Sequence, residues 1–188
     1  MNEETLGDAI AAEALKHLGV KEDPPHSNHT PFGIWAVGNN GMNGVAWCGN
    51  YVSFCVQEAT GGARAVCEGT PMTTAYYGSG YDHGCFGDAG GRCFGCDHAP
   101  TIERWARGRH KAQVEWIDSE DPDLFQPGDI LLIDIGGVKG HATHVGIFMC
   151  YEDDGATIVS VEGNYSDRVQ LVRRDVDSDE VVGAGRLI

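Results

Sequence analysis

Cys48 stands where a thiol can become a nucleophile. It opens an expected helix, Ala46-Trp47-Cys48-Gly49-Asn50-Tyr51-Val52-Ser53-Phe54-Cys55, directly after a glycine-rich loop. The positive end of a helix dipole stabilises thiolate over thiol, and thiolate is the reactive form. The same residue continues the stripe Val52, Cys55, Val56, Ala59, whose spacing marks an inward helix face. Free cysteine is also among the most buried residue types. Taken alone, this helix leaves core packing and catalysis equally open.

A cysteine nucleophile needs a base that takes its proton and later protonates the leaving amine, and histidine does both near neutral pH. His144 begins the apolar run His144-Val145-Gly146-Ile147-Phe148-Met149-Cys150-Tyr151. A second run, Thr157-Ile158-Val159-Ser160-Val161-Glu162, ends in Gly163-Asn164. Between them, Asp153-Asp154-Gly155 suits a three-residue hairpin loop with glycine at its left-handed third position. That register sets His144 opposite Asn164 and Gly146 opposite Glu162. Side chains alternate along a strand, so His144, Glu162 and Asn164 share one face. The imidazole needs an acceptor on its far nitrogen, and Glu162 or Asn164 can serve. A slip of one residue would turn each of these side chains over, so the grouping depends on the register. Three polar groups converging near a helix-start thiol favour catalysis over core.

The chain has seven cysteines, an odd count for a disulfide framework. Cys48, Cys55 and Cys150 have places as nucleophile or core. The other four, Cys67, Cys85, Cys93 and Cys96, fall in a glycine-dense stretch, residues 65–99, with little aliphatic content. Cys93-x-x-Cys96 has zinc-knuckle spacing, and His83 and His98 flank it. The expected ligands of a structural zinc are Cys85, Cys93 and Cys96, with the fourth drawn from Cys67, His83 or His98. One or two disulfides, or free thiols in a loop, are the competing readings. A redox role for the CxxC pair is set aside because its surroundings lack a βαβ context.

These groups need elements to position them. Thr5-Leu6-Gly7-Asp8 can cap a first helix with Leu6, Ile10, Ala14 and Leu18 on one face and Gly19 as its stop. A polar loop with Pro24, Pro25 and Pro31 is expected next, then the cysteine helix, ending near Gly61-Gly62. Pro100-Thr101-Ile102-Glu103-Arg104-Trp105-Ala106 reads as a short helix starting at a proline. From Ile130 onward the pattern predicts strands: residues 130–133, the hairpin, residues 169–172 and residues 181–188. Helices first and an antiparallel sheet later make an α+β fold. Trp35 and Trp47 lie near the expected groove, where Trp47 is read as packing.

At 188 residues the chain is read as one domain over residues 1–188, with residues 65–99 as a Cys/Gly-rich insertion. No run reaches the roughly 18 apolar residues of a membrane span, and Met1-Asn2-Glu3-Glu4 lacks a signal-peptide pattern. Synthesis in a cytoplasm, without membrane association, is therefore expected. The net charge of −15 argues against nucleic acid as a partner. Residues 115–134 carry seven acids and no base, including Asp118, Glu120, Asp121 and Asp123. Their spacing matches no regular calcium loop, so calcium is not expected and the run is read as a solvated loop.

The motifs, taken in order, resemble the cysteine- and histidine-dependent amidohydrolase/peptidase (CHAP) domains of the papain-like superfamily. Gly19-Val20-Lys21-Glu22-Asp23-Pro24-Pro25 with Ser27-Asn28 resembles the opening segment of many cell-wall lysins of this kind. Trp47-Cys48 with Tyr51-Val52-Ser53 resembles their nucleophile helix, and Pro127-Gly128-Asp129-Ile130-Leu131-Leu132 their first central strand. His144-Val145-Gly146-Ile147 resembles the histidine strand, Glu162-Gly163-Asn164 the acidic-residue motif, and Val182-Gly183-Ala184-Gly185-Arg186 the closing strand. The likeness spans nearly the whole chain apart from residues 65–99.

The resemblance implies a papain-like fold, with N-terminal helices packed on an antiparallel sheet. It implies Cys48 as nucleophile, His144 as base, Glu162 as orienting residue and Asn164 as a fourth polar member. His141 is the rival base, but only His144 directly precedes the Val-Gly-Ile strand. The implied activity is bacteriolytic hydrolysis of an amide bond in peptidoglycan, as an endopeptidase or an N-acetylmuramoyl-L-alanine amidase; no cofactor is expected in catalysis, and a monomer is expected. Many such domains are bacteriophage endolysins or virion-associated hydrolases, which reach the wall through a holin, lysis or the virion. The alternatives are a thiol peptidase acting on another peptide, such as a toxin or effector, and a non-catalytic wall-binding or virion structural protein. The acidic charge is awkward for a wall rich in anionic polymers, and no second domain is visible to supply targeting.

Overall fold

Thr5 and Asp8 close a reciprocal cap. Thr5 Oγ1 accepts from the Asp8 amide at 3.1 Å while the Asp8 carboxylate accepts from the Thr5 amide at 3.0 Å. Such a cap contributes about 1 kcal/mol and starts α1 (Leu6–Leu15). The helix ends about a turn before the expected stop. Residues 16–19 form a turn closed by Gly19 at φ 85°, and Leu18 is 42 % exposed rather than buried.

The computed structural model describes residues 5–39, 43–68, 76–77, 81–82, 85–87, 93–108, 113–136 and 140–188. Met1-Asn2-Glu3-Glu4 and the candidate ligand His83 lie outside them. The stretch expected to be a polar loop contains a second helix, α2 (Pro31–Gly38). Thr30 Oγ1 accepts from the Gly33 amide at 3.1 Å, and Pro31 takes the first helical position, where no amide proton is needed. Next comes α3 (Cys48–Ala59), which ends at Thr60 ahead of Gly61 and Gly62, both with positive φ.

The described residues within 65–99 include four short strands, β1 (Tyr76–Tyr77), β2 (Tyr81–Asp82), β3 (Cys85–Gly87) and β4 (Cys93–Cys96). They pair in sequence as two antiparallel ladders. The proline-started helix is α4 (Ala99–Arg107). The remaining strands are β5 (Val114–Asp118), β6 (Ile130–Ile133), β7 (His144–Glu152), β8 (Thr157–Tyr165), β9 (Arg168–Asp175) and β10 (Val181–Leu187). They form one six-stranded antiparallel sheet in the order β5-β10-β6-β7-β8-β9. The architecture is α+β.

The start of the acidic run is thus a strand rather than a loop. In β5, Val114 and Ile117 turn inward while Glu115 and Asp118 face water, and the strand pairs with β10 at the sheet edge. Both sheet faces are apolar. Ile130, Leu132, Val145, Ile147 and Val161 pack with Ile10, Tyr51, Val52 and Ile102 of the helices. Leu131, Ile133, Phe148, Ile158 and Ala184 form a second cluster on the other face. Each fully buried large side chain contributes roughly 1.5–3 kcal/mol over leaving it in water, and this packing seats α3 against β7 and β8. Among the described residues, no helix is long and apolar enough to cross a membrane.

Candidate active site

Cys48 is the first residue of α3. Its helix start is held from three sides. The Trp47 indole donates to Glu22 Oε1 at 2.9 Å, and Glu22 Oε2 accepts from the Asn28 amide at 2.9 Å. Trp47 is fully buried and stacks on Phe32, ring centroids 5.7 Å apart, so it packs and anchors at once. One turn on, Tyr51 Oη donates to the Ala14 carbonyl at 2.9 Å and ties α3 to α1. Trp35 is only half-buried and meets Phe54 edge-on.

His144 begins β7 with Nε2 3.0 Å from Glu162 Oε2. The Cys48 side chain acts on the same imidazole and favours its charged form, and with Nε2 on Glu162, Nδ1 is the nitrogen left to face the thiol. Cys48, His144 and Glu162 therefore form one continuous line. Because Glu162 takes the far nitrogen, it is the residue that orients the ring. Asn164 sits two residues on at φ 63°, half-buried, where β8 leaves its regular pairing with β9. The Tyr165 ring lies 6.2 Å from the imidazole. His141 is not part of the line: its side chain is 70 % exposed and its Nδ1 is 3.9 Å from Glu103.

The hairpin register that brings His144 and Glu162 together is the expected one at this end, with Ile147 opposite Val161 and Phe148 opposite Ser160. The expected three-residue loop needs correction. Glu152 pairs with Thr157, so the loop is residues 153–156, one residue longer. Met149 is bulged out between Phe148 and Cys150, and this extra residue restores the register. Gly146 then lies against Glu162. A Cβ there would stand 2.6 Å from Glu162 Cγ, so only glycine leaves the carboxylate its place.

Glu162 is fully buried, and a buried carboxylate must be paired. Ser160 Oγ donates to its Oε1 at 2.6 Å. Arg174 grips it with both terminal nitrogens, Nη1 on Oε1 and Nη2 on Oε2, the latter at 3.1 Å. Arg174 Nε reaches on to Glu180 at 2.9 Å. Burial opposes the Glu162 charge, but the bonds from His144 and Arg174 win and hold its carboxyl below the usual range. Burial likewise opposes charge on His144, yet the Cys48 and Glu162 side chains outweigh it, and the imidazole is pushed up to about 9. The surroundings therefore favour the charged form of the ring.

Sequence reasoning missed Ser160, Arg174 and Glu180. A signal existed for Arg174. Arg173 and Arg174 are adjacent in a strand, so alternation must turn one of them inward.

All seven cysteines are free thiols. Cys55 belongs to the buried stripe of α3, and burial pushes its thiol well up, away from reactivity. Cys150 is exposed. Of the six ligand candidates, Cys67, Cys85 and Cys96 bring their sulfurs within 4.8 Å of one another, a group able to hold a metal ion. Cys93 lies outside this group, its thiol donating to the Val66 carbonyl at 3.2 Å. The Nδ1 of His98 is 2.9 Å from Thr101 Oγ1, and His98 is outside the group. Two of the three preferred ligands, Cys85 and Cys96, are therefore joined most closely by Cys67.

The chain matches no protein-family model, and no curated protein matches it.

Proposed function

We propose that this chain is a papain-like thiol amidohydrolase that cleaves an amide bond in bacterial peptidoglycan. The observation that carries this reading is the line from Cys48 at a helix N-terminus through His144 to a buried, arginine-held Glu162. The ordered likeness of its motifs to CHAP domains supplies the substrate class. A lysin released by lysis or carried in a virion is the setting that fits.

With His144 charged, the nucleophile is the Cys48 thiolate. It attacks the carbonyl carbon, and the tetrahedral oxyanion is met by backbone N–H groups of the first turn of α3, that of Cys48 among them. His144 passes the proton from its Cys48-facing nitrogen to the departing amine as the C–N bond breaks. The now neutral imidazole takes a proton from water, which attacks the thioester. Release of the acid restores thiolate and imidazolium. Glu162 holds the ring in place by accepting from Nε2 throughout, and Arg174 fixes Glu162.

Purified cell walls incubated with the wild type should release free amines without new reducing ends. Cys48→Ser and His144→Ala should lose this release, and His141→Ala should keep it. Full activity of Cys48→Ser, or loss only with His141→Ala, would remove the assignment. The net charge of −15 favours a second reading, a thiol peptidase of soluble, less acidic peptides. Inert walls together with Cys48-dependent cleavage in a peptide library would select it.

A further inference from the structure

Four cysteines take no part in this mechanism, and they converge. The sulfurs of Cys67, Cys85 and Cys96 lie within 4.8 Å of one another, and Cys93 stands on the same β3/β4 ladder as Cys85 and Cys96, its thiol donating to the carbonyl of Val66, next to Cys67. Cys67 and Cys96 are fully buried and Cys93 nearly so. Cys85 and Cys96 face each other across the β3/β4 ladder, while Cys67 comes from the turn after α3, at φ 63°. Zinc–sulfur bonds of about 2.3 Å in a tetrahedron put neighbouring sulfurs about 3.8 Å apart, so a modest contraction of this group would meet a metal's requirement. A disulfide joins sulfurs in pairs at about 2.05 Å. Three thiols all within 4.8 Å of one another form a cluster rather than a single pair. The donor set is all sulfur, the choice of a soft or borderline tetrahedral ion.

The cluster also bears on Cys48. Ser53 Oγ donates to the Cys96 carbonyl at 3.0 Å and accepts from the Cys96 amide at 2.8 Å, both bonds buried. One turn earlier, a Cβ on Gly49 would stand 2.6 Å from the Asp97 carbonyl carbon and 2.7 Å from the Cys96 oxygen. The backbone at Cys96 is therefore the surface on which the residue next to the nucleophile rests. Strands as short as β3 and β4 are marginal without a further tie.

We infer that Cys67, Cys85, Cys93 and Cys96 bind one zinc ion as a tetrathiolate, and that the ion presses the Cys96–Asp97 backbone against the first turn of α3 and so positions Cys48. Each ligating thiol gives its proton to solvent as it binds. The positioning role rests on the proposed function, whereas the metal site does not.

The full chain, purified under reducing conditions without chelator, should carry about one zinc per chain by native mass and metal analysis. Cys85→Ser should lose it. Iodoacetamide followed by peptide mapping should label exposed Cys150 and spare the four ligands, and chelator should expose all four. Iron in place of zinc, absence of metal, or disulfides among the four would overturn the site. Removal of zinc should slow alkylation of Cys48 several-fold, and an unchanged rate would overturn the positioning role. None of these readouts uses a substrate, so a failed metal site and a failed hydrolase are told apart.

Discussion

The charge on His144 is set by what surrounds it. A buried imidazole is ordinarily neutral, because desolvation penalises the cation. Here the Cys48 side chain on one edge and a carboxylate on the other reverse that preference and push the group to about 9. Hydrolysis should therefore fall on an alkaline limb near pH 9, where the leaving amine loses its proton donor. Glu162→Gln removes the anion that favours the charged ring, and the limb should move down by about 1–3 pH units; an unmoved limb in the pH–rate profile would show that Glu162 does not hold the charge. The same group acts on the fold. Its folded value lies above the ordinary 6.5, so its contribution to stability is complete below pH 6.5 and is lost as pH rises through about 9. At this scale the sequence was legible for the grouping of Cys48, His144 and Glu162, because each stands at a telling place: a helix start, a strand start, a strand end. Arg174 was not. Arg173 turns out to Glu152 and Arg174 turns in to Glu162, and the choice between them needs the β8–β9 register, which local pattern does not contain.

Elements succeed or fail as predictions according to whether their signals are local. The Thr5 cap, the proline start of α4 and the apolar run of β6 each carry their cause within a few residues, and each forms as expected. The second helix was hidden because Pro31 reads equally as loop or as first helical residue, and only the Thr30 cap distinguishes them. The edge strand β5 was hidden because its outward residues are acids and its pairing partner lies some seventy residues away, at β10. The hairpin shows a subtler case. Its loop is one residue longer than the turn residues suggest, and the Met149 bulge compensates, so the register at the site is right although the turn was not. What leaves Glu162 its place beside His144 in this hairpin is the gap at Gly146. Gly146→Ala would drive a Cβ to within 2.6 Å of Glu162 Cγ and displace the carboxylate from the imidazole. The variant should fold with a loss of about 1–3 kcal/mol, while kcat/KM falls on the order of 100-fold. Thermal denaturation beside steady-state rates would separate the two effects, and near-normal turnover would show that Glu162 tolerates the shift.

Over the whole molecule, 28 acids against 13 bases leave a net charge of −15. Local ion pairs do not cancel this excess; Arg174 and Arg186 are already engaged with Glu162, Glu180 and Asp129. A chain of this charge approaching a wall of anionic polymers meets long-range repulsion before any specific contact forms. That repulsion reaches about 30 Å at 0.01 M salt and only about 8 Å at 0.15 M. Digestion of intact walls should therefore quicken as salt is raised across this range, opposite to the behaviour of a basic lysin drawn in by charge. Cleavage of a small soluble stem-peptide fragment, with little charge to repel, should hardly change. Walls stripped of their anionic polymers should lose the salt dependence while keeping the Cys48 dependence. A rate on intact walls that falls with salt would mean that a local basic surface captures the polymer in spite of the total charge. The two halves of the comparison read different physics, since the soluble fragment reports the chemistry at Cys48 and the intact wall adds the encounter.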